Sequence, residues 1–194
     1  MKIASGTVSV TNSYEGLEGT DVMISGGFVS VVSSDDGING TTTSGTAIEI
    51  SGGTVYINCT GDGIDSNSRT SYSGIVFSGG KTVVISNSSG NSAIDTEQGY
   101  QYTGGSVVAI MPSRGMTSEA THCSNFNSIG TKATLSLNSG SYLTVKESGS
   151  TVVTVQMPDS ISAMVIYLGS KSASISSESA SSASFDSNGV CWSK

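Results

Sequence analysis

Gly-Gly doublets return along this chain at a nearly fixed pace. They stand at Ser25-Gly26-Gly27, Ser51-Gly52-Gly53, Ser78-Gly79-Gly80 and Thr103-Gly104-Gly105, at steps of 26, 27 and 25 residues, with a reduced Ser5-Gly6 ahead of them. A short alternating segment precedes each doublet (VMI at 22–24, IEI at 48–50, IVF at 75–77, YQY at 100–102) and a second follows it (TVSV, FVSV, TVYI, TVVI, SVVA). Alternation at period two marks a strand with one buried face. A unit of two or three such strands is too short to bury anything alone, so successive units must stack. The pattern therefore predicts an all-β chain folded as a parallel β-helix. Val22, Ile24, Ile48, Ile50, Ile75 and Phe77 take the inward positions, with the Val/Ile pairs after each doublet. Gly-Gly supplies the corner, because glycine alone takes a positive φ without steric cost. Lys81 reads as one extra residue after the third doublet, a bulge. No segment carries a 3.6-residue period, and the abundance of Gly, Thr and Val weighs against helices.

The repeat decays near residue 117. GMTSEATHCSNFNSIG reads as a long loop, and the alternation then resumes between Ser-Gly turns. The expected organisation is one domain, with regular coils over 1–116. Residues 117–194 then form irregular β coils or a small cap that closes the end of the solenoid and hides its open edge. The serine-rich stretch 170–187 fits either a last strand or a flexible tail.

A second figure recurs inside the first. EGLEG at 15–19, DDGIN at 35–39, GDGIDSN at 61–67 and SAID at 92–95 each set polar residues around one apolar anchor, Leu17, Ile38, Ile64 or Ile94. Aligned on that anchor, one column holds Glu15, Asp36, Asp62 and Ser92, and the other holds Glu18, Asn39, Asp65 and Asp95. Stacked coils lie about 4.8 Å apart. Unit charges about 4 Å apart repel by about 4 kcal/mol at a surface-like dielectric. A cation among them relieves that repulsion, and calcium suits the donors, since it takes ~6–8 hard oxygen ligands. Magnesium asks for a stricter octahedron, and zinc or copper for softer ligands. Candidate metal ligands are Glu15, Glu18, Asp36, Asp62 and Asp65, with Asp35, Asn39 and Asn67 beside them. The alternative is turn chemistry alone, since Asp-Gly and Asn-Gly are ordinary turn formers.

Other features exclude more than they assign. The net charge is −7, and eight of the fifteen acids fall between Glu15 and Asp65. With no basic stripe to neutralise phosphates, nucleic acid is not an expected partner. No run reaches the ~18 apolar residues of a membrane span, and the N-terminal MKIASG lacks the apolar core of a signal peptide. Cys59, Cys123 and Cys191 show no ligand spacing, Cys59 falls on an inward position, and the single His122 cannot build a zinc site.

The ordered strings SGTVSVTNSYEGLEG, ISGGFVSVVSSDDGING, ISGGTVYINCTGDGIDSN and TGGSVVAIMPSRGM resemble a bacterial carbohydrate-binding domain family. Its fold is a calcium-bearing right-handed parallel β-helix, similar in shape to the pectate lyases. The resemblance runs through about residues 1–116, and more loosely through LNSGSYLTVKESGSTVVTVQMPDSISAMVIYLGS. It implies non-catalytic binding of plant-type or acidic polysaccharide outside the cell or at its surface, and calcium at the EGLEG, DDGIN and GDGIDSN positions. Two departures stand out: Ser68-Arg69 replaces a glycine turn, and SAID lacks the first acid, which would end the ion column after the third coil. Usual members also begin with further coils, so the N-terminal edge is either a cut or a contact for another chain.

Three functions follow as expectations. In a polysaccharide binder, Tyr14 and Tyr56, outward by phase, and Tyr72 in a loop would stack on sugar faces, with Arg69 nearby. In a lyase, calcium would acidify a uronate proton and Arg69 or Arg114 would remove it. An arginine beside carboxylates fits a salt-bridge partner equally, and no catalytic residue is assigned. In a rigid adhesive or virion rod, the N-terminal edge would meet another chain or a second copy.

Overall fold

The pace of the doublets becomes the pace of a stack of coils. The computed structural model describes residues 1–193; Lys194, the last residue of the expected C-terminal segment, lies outside them. The first coil consists of β1 (Lys2–Ile3), β2 (Thr7–Ser13) and β3 (Leu17–Gly19). The next coils each join a long strand to a short one: β4 (Val22–Ser33) with β5 (Ile38–Gly40), β6 (Ile48–Cys59) with β7 (Ile64–Ser66), and β8 (Ile75–Ser86) with β9 (Ile94–Thr96). β10 (Gln101–Pro112) begins the last, partial coil. Pairing between coils is parallel throughout, so Val22, Ile48 and Ile75 form one column and Ile24, Ile50 and Phe77 another. All six side chains are fully buried, as the alternation requires. Each buried aliphatic contributes about 1.5–3 kcal/mol. The result is a nearly all-β solenoid, with 4% helix, whose three regular turns, β4–β5, β6–β7 and β8–β9, stand between the shorter first coil and the partial last one.

Glycine is required at the corners for two separate reasons. The second member of each doublet takes a positive φ, +85° at Gly27, +81° at Gly53, +78° at Gly80 and +94° at Gly105. The first faces the backbone of the coil beneath, and a Cβ on Gly52 would lie 2.4 Å from the Ser25 carbonyl oxygen. The corners also correct the reading of Lys81. Thr54 pairs with Lys81 and Val55 with Thr82, so no residue is inserted. Thr82 instead takes the inward place of a valine, fully buried, and its Oγ1 has no hydrogen-bond partner.

After β10 come two single-turn helices, α1 (Thr117–Ala120) and α2 (Phe126–Ile129), within the stretch read as a loop. There follow β11 (Gly130–Leu137), β12 (Tyr142–Glu147), β13 (Ser150–Gln156), β14 (Ile161–Leu168), β15 (Ser174–Glu178) and β16 (Val190–Trp192). β14 pairs antiparallel with β10, and β11 pairs antiparallel with β14, so the edge left by β10 is occupied. The remaining strands form an antiparallel sheet, β15-β12-β13-β16, that lies flat against the outer side of the coils. Its Leu143, Val145, Val153 and Val155 pack on Tyr56, Val83, Ile85, Val108 and Ile110, which point outward from β6, β8 and β10. Tyr56 is therefore not a sugar-facing residue. It is 5% exposed, sealed inside a second core, and burial pushes its phenol up to about 12. The serine-rich stretch divides: Ser174–Glu178 is strand β15, and 179–187 crosses irregularly to β16.

The crowding at the corners sets an expectation for substitution. Gly53→Ala places a side chain at positive φ, with its Cβ 2.7 Å from the Gly27 carbonyl oxygen. It should cost about 1–3 kcal/mol in urea or thermal unfolding. Gly90→Ala meets open space and should stay within about 0.5 kcal/mol of the parent. Equal midpoints for the two variants would contradict this account of the corner.

Candidate functional site

The short strands β3, β5, β7 and β9 form their own parallel sheet. Its register aligns Leu17-Ile38-Ile64-Ile94, then Glu18-Asn39-Asp65-Asp95, then Gly19-Gly40-Ser66-Thr96. The first residue of each strand is an apolar anchor turned inward, so alternation turns the acid or amide outward. Just upstream, Gly16 donates to the Asp36 carbonyl, Gly37 to that of Asp62 and Gly63 to that of Ser92. These bonds stack Glu15, Asp36, Asp62 and Ser92 as a second ladder, with rungs about 4.8 Å apart.

What fixes the acidic turn is hydrogen bonding from within. The last inward residue of each long strand is Ser33, Cys59 or Ser86, aligned in one column. Ser33 Oγ donates to the Asp36 carbonyl at 2.9 Å, Cys59 Sγ to that of Gly61 at 3.4 Å, and Ser86 Oγ also to Gly61 at 2.8 Å. The glycine after each acid is there for room. A Cβ on Gly37 or Gly63 would stand 2.5 Å from a carbonyl oxygen of the following coil.

The carboxylates are only partly satisfied. Asp36 Oδ1 accepts from the Asp62 N–H at 2.8 Å, and Asp62 Oδ1 accepts from the Ser92 N–H. Ser92 Oγ turns back to the Ile94 carbonyl, so the first ladder ends there as a hydroxyl. Glu15 Oε2 and Asn39 Oδ1 are buried without any hydrogen-bond partner. Burial, reinforced by neighbouring carboxylates, pushes Asp62 and Asp65 up to about 7, and it raises Glu15 and Asp36 above their ordinary values.

The ladder gains a member from outside the repeat. Glu119 on α1 lies against Asp95; burial and that carboxyl raise its pKa, and its Oε2 has no partner. Asp65, Asn67, Asp95, Glu97, Met116 and Glu119 line a cavity of about 380 Å³. Nothing in the repeat signals Glu119, because it arrives from the segment after the last doublet. Glu18 and Asn67 face solvent, whereas Asp35 is half-buried. Among the described residues, no three Asp, Glu, His or Cys side chains stand in a ready-made metal cage. The donor set is a line of oxygens whose unpartnered members suit a hard cation by chemistry.

Tyr14, immediately before the first ladder acid, is 71% exposed, and its phenol is raised chiefly through a hydrogen bond to Asp35. Tyr72 is 37% exposed and sits edge-on to His122 at 5.3 Å. Arg69 is exposed, with its N–H tied to the Thr43 carbonyl, while Ser68 is buried and donates to the Gly45 carbonyl at 2.6 Å. Arg114 lines a separate groove with Asn87 and Ser160. Among the described residues the one ion pair is Lys146–Glu178, so neither arginine is a salt-bridge partner of the ladder. Among the described residues no helix is long and apolar enough to cross a membrane.

A protein-family model described as "Carbohydrate-binding domain-containing protein" matches residues 1–180. No curated protein and no solved structure matches the chain.

Burial of the carboxylates, with their crowding added, gives the stability a definite pH dependence. Asp62 and Asp65 hold their protons to about pH 7 when folded, against an ordinary value of 3.8. Between those values the folded chain keeps protons that the unfolded chain has released, so stability falls as pH rises through this window and stays reduced above it. In EDTA, the protein should melt at a higher temperature near pH ~5 than near pH ~8. Asp65→Asn should raise the alkaline midpoint and flatten the slope. A chelated protein that gains stability from acid to alkaline pH would rule out repulsion in the ladder.

Proposed function

The chain belongs to the carbohydrate-binding domain-containing family, and from that premise we propose that it is a non-catalytic polysaccharide-binding module held along its acidic ladder by calcium. The observation that carries the calcium reading is the pair of buried, unpartnered oxygens, Glu15 Oε2 and Asn39 Oδ1, set within two in-register ladders of carboxylates. An unsatisfied buried acceptor costs about 1–3 kcal/mol, more when charged. A divalent cation removes both that cost and the mutual repulsion. Glu15, Asp36, Asn39, Asp62 and Asp65 are the inner ligands in this reading. Glu18, Asp35 and Asn67 flank them.

Bound calcium supplies positive charge along the ladder and attracts uronate carboxylates, which an acidic surface would otherwise repel. The chain's own residues supply the rest. Tyr14 offers an aromatic face at one flank of the ladder and Tyr72 a more covered one after β7. Arg69, unpaired with any ladder carboxylate, adds a cation for an acidic sugar. The substrate class that fits is an acidic plant-type polysaccharide met outside the cell or at its surface. A structural or adhesive role is the second reading, resting on the in-register parallel stacking that joins the coils into one continuous rod.

Calcium should raise the melting midpoint over EDTA at pH ~7.5, and more than magnesium does. Glu15→Gln combined with Asp65→Asn should remove most of that gain. An identical midpoint with calcium and with EDTA removes the metal from this account. In gel retardation with calcium, polygalacturonate should slow the protein more than a neutral glucan does. Tyr14→Ala should weaken that binding by roughly tenfold, equivalent to about 1.4 kcal/mol. Absorbance from unsaturated uronides should not grow during incubation. Growth abolished by Arg69→Ala would replace the binder with a lyase, and a stable oligomer in light scattering without glycan retardation would favour the rod.

A further inference from the structure

The antiparallel sheet β15-β12-β13-β16 turns one face to the coils and the other away from them. On the outward face one row runs straight across the sheet: Cys191 opposite Thr154, Thr154 opposite Thr144, and Thr144 opposite Ser176. A polar row of this kind belongs in water. Yet Thr144 is 3% exposed and Thr154 4%. The cover is the serine-rich segment after β15, whose Ala180–Ala183 portion passes over the row. That segment is anchored at its far end by Phe185, stacked on Tyr142 with ring centroids 5.3 Å apart. Asp186 then accepts from the N–H groups of Asn188 and Val190, both at 2.9 Å, and turns the chain into β16.

Between the sheet and this strap lies a cavity of about 380 Å³. Its lining is rich in hydroxyls, among them those of Thr144, Thr151, Thr154 and Ser181. The two charged groups in the lining, Lys146 and Glu178, neutralise one another at 3.7 Å. Thr144 Oγ1 is sealed from bulk water and has no hydrogen-bond partner. Such an orphan costs about 1–3 kcal/mol, which valine at the same position would avoid. A cavity at the lower end of the ~300–1,000 Å³ range suits a small ligand or a chain end. With hydroxyls on its walls and no net charge, it favours a neutral occupant that both donates and accepts hydrogen bonds.

We propose that the cavity beneath the 179–187 strap is a second binding site, taking a neutral polyhydroxylated ligand such as a sugar residue of a neutral glycan, with Thr144 as its buried polar contact. The site shares no residue with the acidic ladder and needs no metal.

Cys191 reports on it directly. It lines the cavity and is half-exposed, whereas Cys59 and Cys123 are buried. The full chain is alkylated with iodoacetamide, and modification of Cys191 is followed by mass spectrometry with glucose, galactose, cellobiose or xylobiose present. At least one sugar should slow the reaction, by roughly tenfold at about ten times its Kd. That protection should persist in EDTA and in Tyr14→Ala, which disable the ladder. Thr144→Val should abolish it while leaving the melting midpoint unchanged or raised. No protection by any of these sugars, or equal protection in Thr144→Val, overturns the proposal. Polygalacturonate retardation without Cys191 protection overturns this site alone, and protection without retardation overturns the ladder reading alone.

Discussion

Parallel hydrogen bonding between coils places each residue one strand spacing from its counterparts above and below, and everything else in the molecule follows from that rule. Whatever sits at one position is multiplied into a column. Aliphatic columns such as Ile24-Ile50-Phe77 gain from the multiplication, because each member buries its neighbours. Carboxylate columns lose by it. The chain therefore carries one favourable and one unfavourable consequence of the same geometry, and at Asp62 and Asp65, where burial is the main cause of a reluctance to ionise near neutral pH, the stacked carboxylates add to it.

The close approach of coils also decides where glycine stands. At Gly53 the backbone needs both a left-handed conformation and empty space. At Gly37 and Gly63 it needs only space, since the next coil's carbonyl lies where a Cβ would be. The Asp-Gly pairs thus look like ordinary turns in sequence yet answer to packing. A turn could tolerate asparagine or alanine after the acid; this contact does not.

The regular part of the fold was legible because period-two alternation and the doublet spacing are both local signals. The inward set, Val22 through Phe77, follows from them without knowledge of anything distant. Lys81 was misread for an instructive reason: Thr82 fills a valine's place, and sliding the apolar pattern by one avoids burying a hydroxyl that the structure does bury. Tyr56 was misplaced because alternation tells two faces apart but says nothing about what lies against the outer one. The covering sheet comes from strands about ninety residues later in the chain. Glu119 was invisible for the same reason, since it joins the acidic columns from a helix outside the repeat.

That covering sheet changes how the solenoid should come apart. Coils that touch only their neighbours can fray one at a time, as independent links. Here one plate of apolar side chains rests on β6, β8 and β10 together, through Tyr56, Val83, Ile85, Val108 and Ile110. Those coils cannot open singly without lifting the plate from the others. The earlier turns contribute no side chain to that apolar contact, and Ser30 on β4 meets the covering segment through a hydrogen bond to Asn188, so a single chain combines a cooperative block with turns whose opening is more graded.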